Sequence, residues 1–250
     1  MRAAALLALL ALAGCATPPD RYDAFADTMR GYAGRLAAEA EVVPPPAWTP
    51  PPEPPRRGRR AEAPPPMPAP PMPAPDCSRP ASAAERQGCT AAERTALLAL
   101  TQAHARALSD YFATLRSLAT RITGPAEQDA IRFTRQEVFG AGERLMENLR
   151  ITEQELPPIR AVQARVGLRP AFGAEMSEHG WRIRRQMELQ AEALSRLEAL
   201  RGPDAAAGLP RLRWGFAYLR SAFEALVMSD RDALPEIEQA RQALAIRPPA

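Results

Sequence analysis

The sequence predicts an all-α fold, an antiparallel helical bundle that follows a disordered proline-rich stalk. In the second half of the chain, apolar residues recur at alternating spacings of three and four, the period of one helix face. Nothing there alternates with a period of two for long enough to indicate strands. Because the connections between the helical patterns are short, we expect neighbouring helices to pack antiparallel.

Residues 1–14 have the layout of a signal peptide, with one arginine, an apolar run and then glycine. The run is far short of the ~20 residues that a transmembrane helix needs. Leu12 to Cys15 resemble the lipobox of bacterial lipoproteins. The resemblance implies cleavage before Cys15, acylation of that cysteine and, with Ala16 next, an outer-membrane anchor facing the periplasm. The alternative is an ordinary secretory signal with an incidental cysteine, and both interpretations export the chain.

Residues 15–43 comprise the acylated N-terminus and a predicted amphipathic helix. The apolar stripe of this helix consists of Tyr22, Phe25, Met29, Tyr32 and Leu36. Three uses remain open. The helix lies in the membrane interface, pairs with a copy of itself as a short coiled coil, or folds back on the main domain.

Residues 44–76 form the proline-rich linker. Of the 32 residues from Pro44 to Pro75, 16 are proline, which removes backbone donors and favours polyproline II. At ~3.1 Å per residue the extended segment would reach on the order of 100 Å, so we interpret it as a spacer between the lipid and the domain. Its arginine cluster is a candidate contact for anionic lipid, lipopolysaccharide or wall carboxylates, and consists of Arg56, Arg57, Arg59 and Arg60.

The overall charge does not indicate a nucleic-acid partner. All 32 basic residues of the chain are arginine, which is partly a matter of codon usage. From Cys77 onward, 24 arginines face 21 acidic residues, so the helical part is nearly balanced in charge. Neither this balance nor export fits nucleic-acid binding.

Cys77 and Cys89 are the two thiols that remain once Cys15 is acylated, and an even pair in an exported protein predicts a disulfide. Closing so short a loop stabilises by roughly 3 kcal/mol in the chain-entropy model. The spacing is not that of a C-x-x-C metal or redox site. With Glu85 and Arg86, the two cysteines also resemble the opening of the LprI-type lysozyme-inhibitor family. That resemblance implies an inhibitor of lysozyme-like wall hydrolases.

Residues 77–250 are assigned to the helical bundle domain. Thr90 and Glu93 form a capping box that predicts the start of its first helix, and Gly124 with Pro125 predicts the stop. A second helix should run from Pro125 to about Arg150. Its two glycines, at 140 and 142, would let a neighbouring helix approach closely.

The rest of the domain is predicted from its proline and glycine positions. Pro157 and Pro158 should open a short helix that Gly167 ends. The next helix should stop at Gly202 and Pro203. A clean apolar stripe over 209–226 and a short one over 234–244 predict the last two helices.

The inventory of catalytic groups is thin. His104 lies on an apolar stripe, which favours a hydrogen-bonded core histidine over a metal ligand. Glu175, Glu178 and His179 crowd one helical turn, but the Glu-x-x-His pairs of di-iron bundles are absent from the sequence. No nucleophile motif is present in the sequence either. We therefore predict no catalytic residue, no metal and no cofactor.

One helical turn is basic and flanked by an aromatic residue, Trp181 with Arg182, Arg184 and Arg185. Its usual explanation is a solvated helix face with the tryptophan turned toward the core, and the alternative is contact with an acidic partner.

The sequence thus predicts a tethered binding or scaffolding module rather than an enzyme, held at the membrane by its lipid. Its expected partner is a cell-wall component or an envelope protein. The first alternative function is inhibition of lysozyme-like wall hydrolases, and the second is wall hydrolysis itself. Oligomeric state does not follow from the sequence.

Overall fold

The structure is a computed structural model that describes residues 20–41, 83–120, 124–159, 162–164, 168–201, 208–228 and 232–246. These residues form six α-helices and no strand. The helices are α1 Arg21–Glu41, α2 Ala83–Thr120, α3 Pro125–Leu149, α4 Pro170–Arg201, α5 Gly208–Met228 and α6 Leu234–Leu244. The predicted all-α helical bundle is confirmed.

Helices α1, α2, α4 and α5 form a four-helix ring around one apolar core. Antiparallel packing of α1 on α2 follows from Phe25 against Phe112, with ring centroids 5.0 Å apart, and from the hydrogen bond of Gln102 to the Leu36 carbonyl. The other ring neighbours, α2 with α4, α4 with α5 and α5 with α1, are also antiparallel. Four facing apolar stripes therefore close one core, as in a helix bundle.

Helices α3 and α6 flank this ring on opposite edges. α3 lies against α2 and α4, and α6 lies against α1 and α5. Along α3 and α4, Arg135 meets Glu175, and further on Phe139 meets Arg182, so these two neighbours run parallel. The expectation of antiparallel neighbours is wrong for this pair, because the connection over 150–169 is long enough to return the chain to the other end.

Helix α1 folds back on the helical domain, which is the third of the uses left open by the sequence. Phe25, Met29, Tyr32 and Leu36 are at most 3 % exposed and belong to the common core. The core therefore includes a helix on the N-terminal side of the proline-rich segment. Residues 42–82 connect two packed helices of one bundle, so their interpretation as a spacer between lipid and bundle is corrected.

Two local predictions also need correction. α2 begins at Ala83, seven residues before the predicted capping box at Thr90, because residues 83–89 contain no proline to stop the helix. The described residues 157–159 and 162–164 are not helical where a short helix was predicted. Here Arg185 of α4 donates to the Pro157 carbonyl at 2.6 Å, and this tertiary contact competes with helical hydrogen bonding.

Candidate functional site

A buried polar cluster lies at the centre of the four-helix ring. His104 of α2 is 0 % exposed, which confirms the predicted core histidine. Its Nδ1 lies 2.7 Å from Oε1 of Gln190 and its Nε2 lies 3.0 Å from Oε1 of Gln186, both on α4. Gln190 also donates to the Tyr32 hydroxyl of α1 at 2.7 Å and to the Thr101 carbonyl of α2 at 3.3 Å. One amide side chain thus connects three helices.

The hydrogen-bond chemistry of this cluster selects one tautomer of His104. The amide nitrogen of Gln190 donates to Tyr32 and Thr101. Its amide oxygen therefore faces the imidazole of His104 and accepts from Nδ1–H. A neutral imidazole has only one N–H, so Nε2 needs a donor. The Gln186 amide supplies this donor when its nitrogen faces the imidazole of His104. The hydrogen-bond network decides this orientation of the amide. Burial lowers the pKa of His104, and its two amide hydrogen bonds oppose that shift.

We expect His104 to make the protein less stable in acid. Its pKa is lower in the folded than in the unfolded state, so the unfolded state binds more protons between the two values. Stability therefore falls as pH drops below about 6.5, by at most ~1.4 kcal/mol per pH unit from this group. Urea unfolding from pH 7.5 to 5 should show a shallower pH dependence for His104→Gln than for wild type. The matched control is His179→Gln, and equal slopes for His104→Gln and wild type would contradict the assignment.

A cleft of about 390 Å³ lies between α2, α3 and α4 around Glu175. The Glu175 carboxylate is 9 % exposed, accepts from the Tyr111 hydroxyl at 3.1 Å and pairs with Nη1 of Arg135 at 2.6 Å. Burial, and then the nearby carboxylate, raise the pKa of Tyr111. The carboxylate is therefore a structural ion-pair partner that joins three helices.

Glu175, Glu178 and His179, which crowd one turn of α4, do not share one partner. Glu175 points to Arg135 and Tyr111, whereas Nε2 of His179 lies 3.3 Å from Glu178. Within the described ranges, no group of three His, Cys, Asp or Glu side chains is arranged to hold a metal ion. The residues of this turn are not brought together as ligands.

The basic turn on α4 corrects one of its sequence interpretations, and contact with an acidic partner stays a prediction. Trp181 is 46 % exposed rather than turned toward the core. Arg182 stacks over the Phe139 ring at 4.0 Å, Arg184 bonds Glu224 at 2.9 Å, and Arg185 bonds backbone carbonyls of the 150–169 connection. The three guanidinium groups contact α3, α5 and the connection, and Arg182 stays exposed beside Trp181.

A larger cleft, of about 670 Å³, lies at the opposite end of α2, α3 and α4. Cys89, Thr90, Glu93 and Leu97 line it from α2, and Asn148, Leu149 and Arg150 line it from the end of α3. Arg196 of α4 completes the wall. The partly buried Cys89, half of the predicted disulfide, thus lies beside this larger cleft.

Several predicted site residues lie outside the described residues. They are Cys15, Cys77, Arg56, Arg57, Arg59 and Arg60. Acylation, the Cys77–Cys89 disulfide and the anionic contact therefore stay predictions. Among the helices that the structure describes, none is both long and apolar enough to cross a membrane.

Sequence reasoning missed the glutamines of the polar core and the arginines of the larger cleft. Gln190 does occupy an apolar stripe of α4, and a polar residue on such a stripe is a usable signal of a buried network. Arg150 and Arg196 give no such signal, because exposed arginines are common in this chain. Comparison with known proteins assigns none of these residues a role, since no protein-family model, no curated protein and no solved structure matches the chain.

Proposed function

We propose that the chain is a lipid-anchored envelope protein whose helical bundle is a binding or scaffolding module, held at the outer membrane and facing the periplasm. The lipobox-like Leu12 to Cys15 supports the anchor. Several acyl chains on Cys15, at ~0.8 kcal/mol per buried methylene, would hold the protein stably.

One observation carries the proposal furthest: the bundle begins at Arg21, directly after the lipidation site. The five residue steps from Cys15 to Asp20 span at most about 18 Å. Because α1 is buried in the core, the lipid is coupled directly to the folded body rather than through a long arm. The bundle is then held close to the lipid surface.

This short tether also orients the bundle. The end that carries the start of α1 includes the first turn of α4, since the rings of Tyr22 and Phe172 lie 5.1 Å apart. It includes the last turns of α2, since Arg116 pairs with Asp23 at 3.2 Å. This end faces the lipid. The opposite end, with the larger cleft, is separated from it by the 32 residues of α4, about 48 Å.

The proline-rich residues 42–82 join the end of α1 to the start of α2, and both helix ends lie on the side away from the lipid. We propose that Arg56, Arg57, Arg59 and Arg60 contact anionic wall polymers. The Cys77–Cys89 disulfide would fix the returning chain to α2.

Replacing Cys15 with Ala is expected to move the protein from the membrane pellet to the soluble periplasmic fraction, because the acyl chains would be lost. Fractionation with immunoblotting measures the distribution, and intact mass of the purified wild type measures acylation. Cys89→Ala is the matched control and should stay in the membrane pellet. An unacylated wild-type protein with its leader intact would refute the proposal.

The inhibitor function implied by the cysteine resemblance is tested on the same preparation. The full-length protein is added to lysozyme acting on purified cell wall, and the cleavage rate is measured. An unchanged rate would exclude lysozyme inhibition and leave the tethered module.

A further inference from the structure

The larger cleft contains two arginines without partners. Neither the Arg150 nor the Arg196 guanidinium makes a hydrogen bond or ion pair with any part of the chain that the structure describes. Other arginines near the α4 interfaces are engaged. Arg184 and Arg220 bind glutamates, and Arg213 pairs with Glu198 at 2.8 Å. The guanidinium groups of Arg150 and Arg196 are thus uncommitted donors at the cleft, in contrast to those of Arg184, Arg213 and Arg220.

Arg150 is set in position by the way α3 ends. It is the C-cap residue and adopts a left-handed conformation, with φ 55° and ψ 41°. Its N–H donates to the Glu147 carbonyl and the next N–H, of Ile151, donates to the Met146 carbonyl, both at 3.1 Å. This is a Schellman ending, in which glycine is the usual residue. An arginine side chain here projects from a defined turn rather than from a loose loop.

The remaining lining matches a small peptide better than a bare anion. Leu97 and Leu149 supply apolar surface, and the Asn148 amide offers both a donor and an acceptor. Glu93 adds one carboxylate to the α2 wall. Arginines suit carboxylates because the guanidinium donors match carboxylate geometry, and Glu93 would accept from an ammonium group. Carboxylates, an ammonium and small apolar side chains together describe a short zwitterionic peptide.

We propose that this cleft binds the peptide stems of the cell wall, with Arg150 and Arg196 on their carboxylates and Glu93 on an amino group. The proposal rests on the proposed function, which exports the chain and turns this end of the bundle away from the lipid. It deepens that function by naming the partner and the residues that contact it. Charge complementarity selects the stems over the neutral glycan.

The test is cosedimentation of the acylated full-length protein, in detergent, with purified peptidoglycan sacculi. Wild type is expected to pellet with the sacculi, and converting their carboxylates to amides should abolish pelleting. The double variant Arg150→Glu with Arg196→Glu should bind about tenfold more weakly or worse, because both charge-assisted contacts become repulsive. The matched control reverses two exposed arginines outside the cleft, Arg106→Glu with Arg144→Glu, and should stay within about twofold of wild type.

Thermal unfolding of both double variants verifies that each remains folded. An equal loss of binding in the two double variants would mean general charge attraction and overturns the inference. Undiminished binding to amidated sacculi would also overturn the inference. No binding by wild type would overturn it too, and this result is expected if residues 42–82 of the chain itself fill the cleft. Intact mass separates the two proposals. An acylated protein that ignores sacculi overturns the cleft alone, whereas an unacylated one that binds them overturns the anchor alone.

Discussion

The variant Leu36→Asp is expected to unfold the helical bundle. Leu36 of α1 is 0 % exposed and lies in the common core with residues of the other ring helices. An unpaired carboxylate there costs several kcal/mol, added to the ~3 kcal/mol lost with a buried leucine. The sum approaches the whole stability of an ordinary domain, about 5–15 kcal/mol. Circular dichroism at 222 nm during urea titration measures the loss.

The control is Ala38→Asp, an exposed position two residues further along α1. It introduces the same charge without burying it, and its unfolding midpoint should lie near that of wild type. Comparing Leu36→Asp with Ala38→Asp tests whether α1 belongs to the bundle, lies in the membrane interface or pairs with a copy of itself. Were this helix in the membrane interface or paired with a copy of itself, Leu36→Asp would leave the unfolding of the other helices unchanged.

The second large effect is expected at the ion pair between α3 and α4. Arg135→Leu would leave the Glu175 carboxylate, 9 % exposed, with only the Tyr111 hydroxyl. Removing one partner of a buried pair costs about 3 kcal/mol, because the other charge stays buried without compensation. In a domain of this size that corresponds to a decrease of roughly 6–12 °C in Tm, measured by calorimetry.

The matched control is Arg132→Leu, one turn earlier on α3. Arg132 pairs with Asp129, but their side chains are 63 % and 70 % exposed, so the change should cost under about 0.5 kcal/mol. The double variant Arg135→Leu with Glu175→Leu should recover much of the loss, since no charge is left buried. Equal destabilisation by Arg135→Leu and Arg132→Leu would show that the pair is not buried in solution.

Local patterns predicted the helices well and their limits partly. Pro125 starts α3, and α4 ends at Arg201 before the Gly202–Pro203 stop, as predicted. The apolar stripe named for α1 is buried at every position except Tyr22, which is partly buried. Periodicity works here because a helix buries whatever lies on one face, irrespective of what covers that face. The predicted start of α2 at Thr90 was wrong, because a capping box permits a helix to begin at that point but does not require it.

The candidate site was much less predictable. His104 was correctly placed in the core, but its partners Gln186 and Gln190 lie more than 80 residues away in sequence. The Arg135–Glu175 pair also depends on two helices running parallel, which no local pattern records. The cleft with Arg150 and Arg196 brings together the first turns of α2, the end of α3 and the last turns of α4, which lie far apart in sequence.

The sequence by itself predicted an export signal and a lipobox-like cysteine, and it determined the proline-rich segment and the helical character of the described domain, because each depends on neighbours within a few residues. Only the tertiary structure decided that α1 belongs to the bundle, so that residues 42–82 return to the body they leave. An amphipathic stripe specifies that apolar area must be covered, at ~25 cal/mol per Å², but not by what. Membrane, second copy and own domain satisfy that requirement alike until the complementary faces of α2, α4 and α5 are known.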